Sequence, residues 1–359
     1  MLSRRSFIKY AALAGASMCM ESCTPVFDPP VSSDTGMPGR DLLNDLIVAD
    51  AHAHPERFHT IVRREDTIHS LEEMKQARVA VSAFNAVGDH IKYRTGYGWP
   101  FHATYQQLSH VRELVKLNQA DLVLGRSDIP SPYDPDRPVG AVMAIEGGDA
   151  LEGKIENLTV FHDYGVRMIG VMHNHNNEIG VHQKSSTDGG LTPFGVKLIE
   201  TMNDTGMIVD VAHANTRTLQ DIARVTQAPL IDSHTSPIPK GRSGGKPTRL
   251  RSWNEMEVVA KTGGVIGLWP LAYSHRSHPR TTLQHWAKEI VLMKQRLGIE
   301  HCGLGTDGGG GLPQKVRGWT SIASLPNLVL AMLEAGLSRN DVRAFCGGNF
   351  IRVLNTCLA

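Results

Sequence analysis

Two histidines spaced by one residue, His52 and His54, close the apolar run VADAHAH. Successive strand residues point to opposite faces, so residues i and i+2 project together. A strand ending this way holds two imidazoles side by side, at a spacing one metal ion can use. Similar residues end other apolar runs: Glu146 after PVGAVMAI, His173 after GVRMIGVM, His213 after GMIVDVA, His234 after APLIDS and Asp307 after HCGLGT. The runs ARVAVSAFNAVG and GGVIGLWPLA offer only Asn85 and Trp269. One histidine at a strand end is ordinarily a structural residue. Five histidines and two carboxylates at the ends of such runs point instead to a metal centre. His69, His102, His110, His182, His275 and His278 fall in loops or on helices and read as solvated.

The donor types define the chemistry. Neutral imidazole and carboxylate oxygen bind Zn²⁺ at about 2.0–2.2 Å. His52 and His54 can chelate one ion and His213 and His234 a second, with the two oxygens of Glu146 bridging ions held roughly 3.5–4 Å apart. The expected cofactors are therefore two divalent metal ions, zinc foremost, although Mn²⁺ and Fe²⁺ accept the same donors. Such a pair acidifies a shared water to a bridging hydroxide near neutral pH. Asp307 would take up its proton and pass it to the leaving group. No lysine ends the fourth run, which argues against a carbamylated lysine as the bridge. Cys19, Cys23, Cys302, Cys346 and Cys357 form no Cys-x-x-Cys pair, which argues against a thiolate site.

Something must bring these strand ends together. Eight short apolar runs alternate with amphipathic segments such as SLEEMKQA, PFGVKLIETMNDTG, TLQDIARVTQ, WNEMEVVAKTGG and TLQHWAKEIVLMKQRLG. Near-continuous apolar runs suit strands covered on both faces. In PFGVKLIETMNDTG, Val196, Leu198, Ile199 and Met202 share one helix face and Gly206 ends it. Eight β/α alternations predict a (β/α)8 TIM-type barrel, which gathers the C-terminal strand ends at one mouth. His-x-His on strand one, a carboxylate on strand three, histidines on strands five and six and an aspartate on strand eight make that barrel amidohydrolase-like.

The chain has 359 residues, with 37 basic against 36 acidic side chains. That balance gives no basic excess for a nucleic-acid backbone. The N-terminal SRRSFIK, followed by a short Ala-rich stretch, reads as a twin-arginine export signal over 1–23, so the export machinery is an expected partner. The expected destination is the periplasm, with Cys23 a candidate lipid anchor. Residues 24–40, rich in Pro, Ser, Gly and Asp, read as a tether, and 41–359 as one metal-hydrolase domain. IKYRTGYGWPFH, 91–102, reads as a loop at the barrel mouth. Asn349 and Arg352 read as ties between the last helix and the barrel floor.

AIEGGDAL, YGVRMIGVMHNHNN, GGLTPFGVKLIETMNDTGMIVDVAHAN, APLIDSHTSP, VAKTGGVIGL, GLGTDGGG and CGGNFIRVL together resemble the membrane dipeptidase (renal dipeptidase) family of zinc metallopeptidases, in order from about residue 46 to 355. The resemblance implies hydrolysis of small dipeptides and a homodimer. By position, His52 matches a metal histidine, Glu146 the bridging carboxylate, and His213 and His234 the ligands of the second metal. His173 matches a histidine that polarises the scissile carbonyl, Asp307 the acid/base aspartate, and Arg249 an arginine gripping the substrate, with Arg242 and Arg251 close competitors. The family usually carries His-x-Asp on strand one, and His54 departs from that. One negative charge is lost, which should favour anionic substrate groups and bear on metal preference, and it leaves open a neighbouring amidase activity. Another binuclear amidohydrolase, an amidase or a metal-dependent deoxyribonuclease, is the alternative enzyme; neutral charge and the export signal weigh against the nuclease. A non-catalytic binding protein would need neither Asp307 nor His173.

Overall fold

Each apolar run of the sequence forms a parallel strand. In chain order the strands are β1 (Val48–Ala53), β2 (Val79–Val87), β3 (Ala120–Leu122), β4 (Val139–Glu146), β5 (Val166–Gly170), β6 (Ile208–Asp210), β7 (Ile231–Thr235), β8 (Val265–Leu268) and β9 (Cys302–Leu304). This computed structural model describes residues 40–55, 71–89, 92, 99–130, 133–239, 248–275 and 279–358. The segment read as an export signal and all of the tether but Arg40 lie outside the described residues, as do His69, His278 and Arg242. The folded unit spans Pro38–Ala359.

Eight strands pair in the order β1-β2-β4-β5-β6-β7-β8-β9. The sheet then meets itself just beyond β9, where Asp307 N–H donates to His52 C=O at 2.9 Å and His54 N–H to Gly308 C=O at 2.7 Å. The expected (β/α)8 barrel is present, and the bonds that draw its ends together lie among the predicted site residues. β3 was not expected. It pairs with β4 outside the barrel, and its three residues, ADL, carry no apolar run to announce it.

The helices that alternate with the strands are α1 (Leu71–Gln76), α2 (Pro100–Lys116), α3 (Ile155–Tyr164), α4 (Pro193–Asp204), α5 (Thr216–Val225), α6 (Trp253–Lys261) and α7 (Leu283–Leu297). After β9 come α8 (Leu325–Glu334), α9 (Arg339–Arg343) and α10 (Asn349–Cys357). Among the described residues no helix is long and apolar enough to cross a membrane. α4 forms where its apolar face and Gly206 place it, and the structure adds its start. Thr192 accepts from Gly195 N–H at 3.0 Å as N-cap, Pro193 opens the helix, and Gly206 follows its end at φ 70°. Leu198, Ile199 and Met202 are buried, with Val196 half-buried beside them. The stretch 91–102, read as a loop, is in part helix: Pro100 starts α2, because proline's fixed φ suits a first helical turn. Residues 91 and 93–98 lie outside the described residues.

Period-two alternation separates two cores. On β4, Met143 and Ile145 face the helices, while Val142 and Ala144 face the interior, so Glu146 continues the inward row at the mouth. At the opposite end, Phe350, Val353 and Leu354 of α10 join the interior cluster and floor the barrel. Asn349 Nδ2 donates to the carbonyls of Ile299 and Cys302 at 2.6 and 2.7 Å, and Arg352 donates to those of Gly263 and Glu300, both at 2.8 Å. These are the ties expected from the sequence.

Candidate metal centre

His52 and His54 both aim into the mouth, with their Nε2 atoms 3.2 Å apart. From the ends of β6 and β7, His213 and His234 meet in the same way, Nε2 to Nε2 at 3.1 Å. Glu146 stands between the two pairs. Its Oε1 lies 2.9 Å from His213 Nε2, 3.4 Å from His234 Nε2 and 3.7 Å from His52 Nε2. Its Oε2 lies 3.6 Å from both His54 Nε2 and His173 Nε2. Asp307 Oδ1 is 3.7 Å from His54 Nε2. All seven predicted strand-end residues therefore converge, although they are spread over more than 250 positions of sequence.

The chemistry of this donor set fits divalent metal. His54 Nδ1 is 2.7 Å from Asn85 C=O. A carbonyl only accepts, so the ring carries its proton on Nδ1 and presents a bare Nε2 lone pair to the cluster. Bare nitrogens facing one another at about 3 Å repel unless a cation lies between them. His52, His54 and Asp307 form one group of donors lying within 4.8 Å of one another; His52, Glu146 and His234 form another, and Glu146, His173 and His213 a third.

The electrostatics favour the same assignment. Burial, reinforced by the positive charge of Arg249, holds His213 well below the usual imidazole range, and burial does the same for His234, while for His52 burial is outweighed by the Glu146 charge, which raises that ring. His213 and His234 thus stay neutral donors. Burial opposes charge on His173, yet the Glu146 charge and the Asp89 hydrogen bond outweigh it and raise this ring to about 9. Burial pushes the Asp307 carboxyl up to about 7, with His52 pulling it down and Glu146 adding to the rise. His213 and Asp307 also adopt left-handed backbone, at φ 65° and 50°. Side chains other than glycine rarely do so, and such residues gather at functional sites.

The three candidate arginines separate. Arg249 is half-buried at the rim, where Nη1 donates to Gln183 Oε1 at 2.7 Å and Nη2 to His234 C=O at 3.3 Å. Its guanidinium carbon lies 5.2 Å from the Trp269 ring centre. Arg251 is fully enclosed, paired with Asp232 Oδ2 at 2.7 Å and donating to the carbonyls of Ala214 and Val211 at 2.6 and 2.7 Å. It holds structure and has no spare face for a ligand.

Sequence reasoning missed Asp89. Its Oδ1 is 2.7 Å from His173 Nδ1, and its Oδ2 accepts from Asn174 N–H at 3.1 Å. This carboxylate orients the His173 ring. The one signal for it is its place just after the second apolar run, beside Gly88. His175 was also missed: it meets Asp149 at 3.1 Å, and Lys92 joins that carboxylate at 2.8 Å. Of the histidines read as solvated, His102 and His110 on α2 are exposed as expected. His182 and His275 are half-buried, correcting the solvated reading. His182 is drawn in because its backbone bridges to Ala214, next to His213.

The fold and site together define a (β/α)8 barrel with a histidine-carboxylate cluster at its C-terminal mouth. The family model of the membrane dipeptidases, peptidase family M19, matches residues 38–358, and the chain belongs to that family. Dipeptidase tcpJ of Claviceps purpurea is 28% identical over 262 residues, covering 70% of this chain and 59% of the relative. The chain spans about three fifths of the length of the curated relatives it matches. An amidohydrolase from Pseudomonas aeruginosa shares the fold at TM-score 0.73 and 22% identity, over 89% of this chain and 98% of that one. A metallopeptidase from Rhodobacter sphaeroides, solved with a phosphinate mimic of the dipeptide L-Ala-D-Ala, does so at TM-score 0.73 and 19% identity, over 88% and 100%.

Proposed function

We propose that this protein is a metal-dependent dipeptidase that hydrolyses the peptide bond of free dipeptides, with two divalent ions, zinc foremost. The observation that carries this reading is the single carboxylate of Glu146 set between two facing histidine pairs. His52 and His54 would hold one ion, His213 and His234 the other, and Glu146 would reach both. When bound, the ions supply Lewis acidity and an acidified water. The remaining work falls to the chain. Asp307, with a pKa near neutrality, accepts a proton from the attacking water and returns it to the departing amine. His173, steered by Asp89, offers Nε2 to the oxygen of the scissile carbonyl as charge grows there. Arg249 meets the substrate's free carboxylate from the rim.

The purified protein should carry about two divalent ions per chain, and a chelator should abolish dipeptide hydrolysis that zinc then restores. One reproducible equivalent after zinc loading would refute the binuclear reading. Losing a charge-assisted bond costs about 1.5–3 kcal/mol. Arg249→Lys should therefore cut kcat/KM for a free dipeptide roughly ten- to a hundredfold. It should barely change the slow cleavage of the same dipeptide amidated at its C-terminus. Equal loss on both substrates would move the carboxylate-binding role elsewhere. Arg4 and Arg5 support twin-arginine export to the periplasm, with Cys23 a lipid anchor there.

A further inference from the structure

Ser233 is completely buried on β7, one residue before His234. Its hydroxyl oxygen stands 2.6 Å from Asp210 Oδ2, 2.9 Å from His234 Nδ1 and 3.1 Å from His52 Nδ1. A hydroxyl has one proton and two lone pairs. Asp210 decides where that proton goes. Its Oδ1 already accepts from the backbone N–H of Ala212 at 2.9 Å and of Ser233 at 3.0 Å, and its Oδ2 takes the hydroxyl proton in the shortest of the three side-chain contacts. Ser233 Oγ is left with lone pairs alone for the two rings. His52 and His234 must each donate from Nδ1, so that each neutral ring presents a bare Nε2 toward Glu146.

We propose that Asp210 and Ser233 form a tautomer lock, in which one hydroxyl oriented by one carboxylate fixes a histidine from each of the two facing pairs as a metal donor. The proposal rests on the binuclear reading above and adds two positioning residues to it. His52 faces His54 and His234 faces His213, so the lock ties the two ion positions together. The two locked rings lie 3.9 Å apart, centre to centre. The lock cannot drift, because neighbouring strands clamp the Ser233 backbone. A Cβ on Gly267 or Gly305 would stand 1.9 or 1.7 Å from the Ser233 carbonyl oxygen, so only glycine lets β8 and β9 approach this closely.

The test reads the ring protons directly, by heteronuclear NMR of histidine-labelled, metal-free protein, alongside zinc titration against a chromophoric chelator. The wild type should show His52 and His234 protonated at Nδ1; a bare Nδ1 on either ring overturns the proposal without recourse to any variant. Asp210→Asn keeps the shape of the site. Its Oδ1 stays against two N–H groups, so its amide nitrogen must face Ser233 and donate. That turns the hydroxyl proton toward one ring and moves that ring's own proton to Nε2. One ring should therefore switch tautomer, and at least one zinc equivalent should bind about 10–100-fold more weakly. Ser233→Ala should weaken both equivalents. Unchanged tautomers with unchanged affinity in Asp210→Asn would overturn the lock. Both rings protonated at Nδ1 in a wild type that binds no zinc would uphold the lock and overturn the binuclear reading instead.

Discussion

Replacing Arg251 by methionine removes a guanidinium that four groups use at once. Asp232, itself fully buried, loses its ion-pair partner at 2.7 Å, and the Val211 and Ala214 carbonyls lose their donors. Glu255 loses a contact at 3.3 Å. Breaking a buried, hydrogen-bonded pair by deleting one partner costs about 3–5 kcal/mol, because the other charge stays enclosed. At about 2.1 cal/mol/K per residue, unfolding Pro38–Ala359 has an entropy of about 0.7 kcal/mol/K, so Tm should fall by roughly 4–7 °C. Scanning calorimetry of the metal-free protein measures this. The same loss should loosen His213, whose strained backbone lies between the two carbonyls, and so weaken zinc binding. Arg249→Met provides the contrast: its side chain is half-buried at the rim, so it should melt like wild type while losing dipeptide turnover. An Arg251→Met protein melting within about 1 °C of wild type would refute the assignment of Arg251 to structure.

Asp307→Asn should retain both ions by elemental analysis yet lose about 10²–10⁴-fold in kcat; near wild-type kcat would remove Asp307 from proton transfer. Asp45 is held at about 2, chiefly by its hydrogen bond to Arg339. Its contribution to stability is present above the ordinary value of 3.8 and is lost as pH falls through about 2. Asp45→Asn should therefore lower Tm at neutral pH, with the gap from wild type closing in strong acid; a gap independent of pH would contradict the ion pair. Arg4→Lys with Arg5→Lys should retain the protein in the cytoplasm of a bacterial host, and unchanged recovery from the periplasm would argue for another export route.

Much of the barrel was legible because its strands are buried on both faces. Every residue of β1, β2 and β4 is enclosed, so each had to be written as an apolar run. β3, with three residues against the outside of β4, left no such trace. His52 and His54 were legible as a pair because strand geometry alone aligns i and i+2. Helix α4 was legible through its apolar face and the glycine that follows its end.

The sequence by itself determined the donor types, their places at strand ends and the alternation that demands a barrel. The tertiary structure alone decided which distant groups meet. It separated Arg249 from Arg251, two residues apart, by giving one a rim and the other a closed cage of carbonyls and carboxylates. It brought Asp89 to His173 across 84 positions and Ser233 to His52 across 181. Local spacing encodes direction along one element. A hydrogen bond between elements depends on register and packing around the whole closed barrel, and no short stretch of sequence carries that.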